Sequence, residues 1–167
     1  PSGLVATYSY NGTTAALEKI VESISGTAIS TNSFARYPGQ TLVRAGLNGV
    51  NVTNTTTVTV STDSRGLVVT NILDSLGRPW ERRSSSLVEL SHYELFPSQS
   101  YSGSTGGKLI LDRTALVRVV GGTNYTTNTW TYDAVRRLAY EGDAAGTLTA
   151  WQYCDCGGPS QITRGHG

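Results

Sequence analysis

The sequence predicts an all-β protein, an extended antiparallel sheet of hairpin repeats about 20 residues long. Two observations carry that expectation. Gly26, Gly46, Gly66, Gly106 and Gly146 fall in steps of about 20 residues or multiples of it, with Ser86 filling one vacant step and Tyr125-Thr126 lying near the other. After each such position comes a strand-forming stretch: Leu67-Val68-Val69-Thr70, Leu87-Val88-Glu89-Leu90, Lys108-Leu109-Ile110-Leu111 and Thr147-Leu148-Thr149-Ala150-Trp151.

Taken in order, the first element is the least obvious. In Ala15 to Ile24, the residues Leu17, Ile20, Val21 and Ile24 sit at helical spacing, and propensity alone favours a helix. The repeat register favours a strand, because Leu17 precedes Gly26-Thr27 much as Leu138 precedes Gly146-Thr147. Further on, Thr55 to Val60 and Thr129 to Tyr132 alternate in the way a strand with one apolar and one hydroxyl-rich face requires. Each stretch then reaches an aromatic or aliphatic residue beside an acidic or small polar one, at Leu73-Asp74, Tyr93-Glu94, Leu111-Asp112, Tyr132-Asp133 and Tyr153-Cys154-Asp155, where a second turn is expected. Two turns per repeat give two strands of ordinary length. Ser84-Ser85-Ser86 and Ser98 to Gly107 read as turn or surface loop, and no linker divides the 167 residues, so one domain is expected.

Composition narrows function. Charged residues make up 15%, with 13 basic against 12 acidic side chains, far from the positive field that competes for a phosphate backbone, so nucleic acid is not an expected partner. No apolar run is long enough for a membrane-spanning helix, and no membrane insertion is expected. The chain opens at Pro1 without an initiator Met and reads as excised, a segment of a longer chain or assembly. Eleven of the basic residues are Arg, which favours planar multidentate pairing. Arg82-Arg83 follows Glu81 and Arg136-Arg137 follows Asp133, placing cations near acids at the turns.

Thr131-Tyr132-Asp133-Ala134-Val135-Arg136-Arg137-Leu138, followed by Gly146-Thr147 and Trp151-Gln152-Tyr153, resembles the YD repeat of Rhs-type proteins. Leu73-Asp74-Ser75-Leu76-Gly77-Arg78 is similar, with Leu73 in the Tyr place and the Gly-Arg pair intact. The resemblance is good over residues 66–83 and 126–164 and degenerate elsewhere, and Arg136 stands where the pattern has Gly. It implies a β-sheet ribbon spiralling into a secreted or cell-surface shell, stalk or filament. Its partners would be neighbouring repeats or copies of the same chain joined through sheet edges, or an enclosed polypeptide such as a toxin. The repeat-turn residues carried over are Gly26, Gly46, Gly66, Asp74, Gly77, Arg78, Gly106, Tyr132, Asp133, Gly146 and Tyr153. In that pattern Asp accepts turn amide protons, Tyr buries its ring with its hydroxyl at the rim, and Gly supplies a permissive backbone.

The candidates for chemistry are few, and the expectation is a non-catalytic chain without cofactor or metal. Cys154 and Cys156, one residue apart, are too close for an ordinary disulfide across a strand, and on a strand both thiols would share a face and pack as small apolar groups. With His166 they fall one ligand short of a closed zinc set. His92, beside Ser91 and Glu94, forms no triad recognisable in sequence. Glu141 and Asp143 suggest an acid/base pair, although carboxylates beside turn glycines are commonly just solvated. Trp80, Trp130 and Trp151 are candidates for stacking on a glycan, the alternative being that they fill a core. Asn11, Asn51, Asn54 and Asn124 each begin an acceptor tripeptide for N-glycosylation.

Overall fold

The structure, a computed structural model, describes residues 3–94 and 111–166. It is all-β. Twelve strands run in chain order through one antiparallel sheet: β1 (Leu4–Tyr10), β2 (Leu17–Ile24), β3 (Thr27–Ala45), β4 (Asn51–Thr62), β5 (Val68–Leu73), β6 (Pro79–Ser84), β7 (Leu87–His92), β8 (Ala115–Val120), β9 (Thr123–Tyr132), β10 (Leu138–Gly142), β11 (Thr147–Tyr153) and β12 (Pro159–His166). The expected Gly106 turn, most of the Lys108 strand and the whole of the Ser98 loop lie outside the described residues. By compactness the chain divides into two units, residues 1–42 with 53–88, and residues 43–52 with 89–167.

In the first unit, the segment with helical spacing is strand β2, paired with β1 from Leu4 opposite Ile24 to Tyr10 opposite Leu17. A lone helix of that length is marginal in water, whereas β2 gains a hydrogen-bonded neighbour on each side. Ser25 and Gly26, both at positive φ, make the two-residue turn into β3. Burial in β4 alternates over residues 51–56 and is uniform over 57–62, so most of the alternation expected over Thr55 to Val60 is not seen, and the chemistry differs too. Its most buried positions are Asn54 and Thr56, and Thr56 Oγ1 donates to Gln40 O at 2.9 Å. Thus the enclosed face of β4 begins polar. Ile72 of β5 and Trp80 of β6 are the buried apolar side chains of this unit, with Trp80 1% exposed.

In the second unit, β8 pairs with β9 around the turn at Gly121-Gly122, and β9 to β12 follow as a meander. Among the described residues its buried apolar side chains are Tyr93, Ala115 and Val117. The repeat step near residue 126 falls inside β9, because the turn comes earlier, at Gly121-Gly122. The steps of about 20 residues therefore join turns of different construction, two-residue turns at Gly26 and Ser86 and longer corners at Gly46, Gly66 and Gly146.

Candidate functional site

The feature most often repeated in the molecule is a five-residue corner. Its first residue donates its N–H to the carbonyl of the fifth, and its fourth donates back to the carbonyl of the first. Corners of this kind span residues 46–50, 63–67, 74–78, 133–137, 143–147 and 154–158, with these bonds at 2.8–3.1 Å. The fourth residue lies at positive φ in each: Gly49, Gly66, Gly77, Arg136, Gly146 and Gly157. The construction is a turn closed by a left-handed residue, which lets the flanking strands pair without splaying.

Four corners begin with Asp, and the carboxylate does the same work each time. One oxygen of Asp74 accepts the amides of Leu76 and Arg78, both at 2.9 Å, and the other takes Arg78 Nε at 2.7 Å. Asp133 repeats this with the amides of Val135 and Arg137 and with Arg137 Nε. Asp143 accepts the amides of Ala145 and Thr147, and Asp63 those of Arg65 and Leu67 while also binding the Arg65 guanidinium. The Leu67 amide and the Arg65 guanidinium hold the Asp63 carboxyl below its ordinary range, and the Thr147 amide does so for Asp143, in each case against partial burial. For Asp133 partial burial pushes upward, and the Arg137 amide and guanidinium with the Val135 amide outweigh it. Asp143 is thereby a turn cap. Glu141, its imagined acid/base partner, accepts a hydrogen bond from Trp130 Nε1 at 3.1 Å instead.

The tyrosines before the corners are also placed by hydrogen bonds. Tyr132 donates its hydroxyl to Arg113 O at 3.0 Å and Tyr153 donates to Leu138 O at 2.8 Å, so each ring ties its corner to another segment. The Arg137 guanidinium lies 4.4 Å from the centre of the Tyr153 ring, linking the corner at Asp133 to the one at Cys154 through a cation–π contact.

A second cluster, of which the sequence showed His92, Ser91 and Glu94 but not Thr114, surrounds the end of β7. His92 and Glu94 are each 4% exposed at the side chain, and His92 Nδ1 stands 2.7 Å from Glu94 Oε1. Thr114 donates its amide to His92 O at 2.8 Å, and its hydroxyl is turned to the carbonyls of His92 and Glu94. The hydroxyl proton is thus directed at main-chain oxygen, which leaves Thr114 without the geometry of an activated nucleophile. Ser91 is buried, and its carbonyl accepts Arg44 Nη2 at 2.7 Å. Residues two apart share a face of extended chain, which is the signal that joins His92 to Glu94.

Several sequence candidates change character. Trp80 is sealed in the interior and offers no face to a glycan. Trp130 is half-buried with the Arg113 guanidinium 4.7 Å from its ring centre, whereas Trp151 is half-buried in β11. Asn54 is buried at 6% exposure within β4, unsuited to accept a glycan, and Asn11 spends its side chain on Glu18 and on the amides of Thr13 and Thr14. Cys154 and Cys156 lie in a corner and not on a strand, and they are bonded to each other. Their shared-face packing is therefore corrected: the tight corner brings their Cα atoms to 5.2 Å, within bridging range, at a spacing an extended strand would not allow. No protein-family model matches this chain, and no curated protein matches it.

Proposed function

We propose that this chain is a non-catalytic β-repeat segment whose work is mechanical, forming part of the wall, stalk or filament of a secreted or cell-surface protein of the Rhs type. The observation that carries this reading is the open edge of the sheet. Strand β1 has a hydrogen-bonded neighbour on one side only, and none of its residues, Leu4-Val5-Ala6-Thr7-Tyr8-Ser9-Tyr10, is charged or proline. Proteins that must stay solitary blunt such edges with Lys, Pro or a bulge, because unpaired N–H and C=O groups template further strands. The one irregularity along β1, a register shift against β2 at Ser9/Tyr10, leaves Leu4 to Ser9 in regular pairing. An edge without charge or proline suits a sheet that continues into neighbouring repeats or another copy.

The repeated corners support the same reading. Each is closed by hydrogen bonds within five residues, so a hairpin joined by such a corner brings its own turn and asks little of distant residues. Stiffness then accumulates with length. Burial points the same way, since Leu4, Val5, Tyr8, Tyr10, Ile24 and Ile29 of the first three strands remain exposed and would be covered by a continuing assembly.

Electron microscopy of the purified chain tests this. Length-variable particles are expected, and Ala6→Lys with Tyr8→Lys on β1 should reduce them to single copies without loss of β-sheet signal. Wild-type chains that stay monomeric at every concentration would refute it. A second reading, a carbohydrate- or protein-binding adhesion module on the same scaffold, rests on Trp151, and Trp151→Ala would abolish glycan-array signal without loss of fold if its carbohydrate form held.

A further inference from the structure

The corner between β11 and β12 departs from its relatives at one point that matters chemically. Its backbone is theirs: Cys154 N donates to Gly158 O at 3.0 Å, Gly157 N donates to Cys154 O at 2.9 Å, and Gly157 has φ +86°. In the four Asp corners the first side chain is an anion that accepts the amides of the third and fifth residues at 2.8–3.0 Å. Here the first residue is Cys154, the third and fifth are Cys156 and Gly158, and the two sulfurs are joined. A bridge that closes so few residues, already held by the corner's own hydrogen bonds, removes little entropy from the unfolded chain, so stability does not account for it.

We propose that Cys154–Cys156 is a thiol–disulfide exchange site that takes small thiols of the glutathione class. Cys156 is exposed and Cys154 half-buried, so an incoming thiolate reaches Cys156 Sγ. A bond forms between the substrate sulfur and Cys156 Sγ, the Cys154–Cys156 bond breaks, and its electron pair stays on Cys154 Sγ. In the bridged form that sulfur lies 3.3 Å from Gly158 O. Once released, rotation about its Cα–Cβ bond carries it away from the carbonyl and toward the amides of Cys156 and Gly158, the counterparts of the donors that an Asp oxygen accepts in the sister corners. A leaving thiolate that meets two N–H donors is a better leaving group, and this is what the corner supplies. A second substrate thiolate then attacks the substrate sulfur of the mixed disulfide and frees Cys156. Two substrate thiols have become one disulfide, the bridge has become two thiols, and the two substrate protons end on Cys154 and Cys156.

The test uses the whole chain purified in air without reductant. Reduced glutathione is added, samples are acid-quenched and alkylated, and the bridge is counted by mass spectrometry. The expected result is opening roughly tenfold faster than glutathione opens its own disulfide. In parallel, ultraviolet titration of thiolate is expected to find Cys154, left alone in Cys156→Ser, ionising at lower pH than Cys156, left alone in Cys154→Ser. A chain without the bridge, an opening rate no greater than the glutathione reference, or a Cys154 thiol ionising at or above the pH of Cys156 would each overturn the proposal. The rate measurement needs only the unmutated chain and holds even if either variant misfolds.

Discussion

Arg136 grips Asp112 with two parallel hydrogen bonds, Nε to Oδ2 at 2.8 Å and Nη2 to Oδ1 at 2.9 Å, while its own backbone sits at φ +68°, where the other five-residue corners carry glycine. The ion pair raises the affinity of the guanidinium for its proton and anchors an otherwise strained turn to the segment before β8. Left-handed backbone is unfavourable for any residue with a Cβ, and an exposed ion pair returns only part of that cost. Arg136→Gly is therefore expected to raise the melting temperature by roughly 2–4 °C. Arg136→Ala keeps the strained backbone, loses the pair, and should lower it. Thermal melts of the two variants side by side check the ordering.

The Asp74 corner is the one that folding has enclosed, with the carboxylate 1% and the Arg78 side chain 16% exposed. Removing a buried charge from such a pair strands its partner and two amide donors at once. Asp74→Ala is expected to cost about 3–5 kcal/mol in urea unfolding, while Asp74→Asn, which keeps the amide acceptor, should lose less. Equal losses for the two would show that the amide bonds contribute nothing beyond the ion pair.

What the sequence made legible was local. Asp three residues before Gly, as at Asp63 and Gly66, Asp74 and Gly77, or Asp143 and Gly146, encodes a complete cap within one corner, so strand ends at Thr62, Leu73 and Gly142 lie directly before such a signal. That same signal identifies Asp143 as a cap, although its neighbour Glu141 suggested acid/base chemistry. Register across distance was harder. A two-residue turn at Gly121-Gly122 and a five-residue corner at Asp143–Thr147 consume different lengths of chain, which is why the expected step near residue 126 lands inside β9. Burial was not legible at all for the indoles: Trp80 and Trp151 sit in similar polar and apolar alternation, and only the neighbours each strand acquires decide that Trp80 is sealed and Trp151 is not.

Acid should unfold the protein through its corners. The carboxyls of Asp63, Asp133 and Asp143 are held below their ordinary range in the folded chain, so each contributes stability that is complete above the unfolded value and is lost as pH falls through the depressed folded value. The melting temperature should accordingly hold from neutral pH to about pH 5 and fall below about pH 4. Asp143→Asn retains an oxygen for the two amides and removes the titrating charge, so the acid limb of its curve should be shallower than that of the parent. An unchanged slope would assign acid sensitivity to other carboxylates.

Gly46 and Glu94 are a pair of the opposite kind, close because of the fold and unrelated in sequence. A Cβ added at Gly46 would stand 2.3 Å from Glu94 Oε2 and 2.8 Å from Val50 O. Gly46 does not need glycine for its φ, so the demand is purely for space, and the atoms that would have to yield are a backbone oxygen and a carboxylate already held by buried His92. Gly46→Ala is expected to cost about 1–3 kcal/mol through overpacking. Gly165→Ala, on β12 with nothing within 4 Å of the added carbon, should change stability by less than about 0.5 kcal/mol. The loss should also shrink when Gly46→Ala is combined with Glu94→Ala, since the carboxylate that obstructs the methyl is then gone, although the backbone contact to Val50 remains. A double-mutant cycle in urea measures that coupling, and a coupling of zero would mean that Glu94 does not press on this corner.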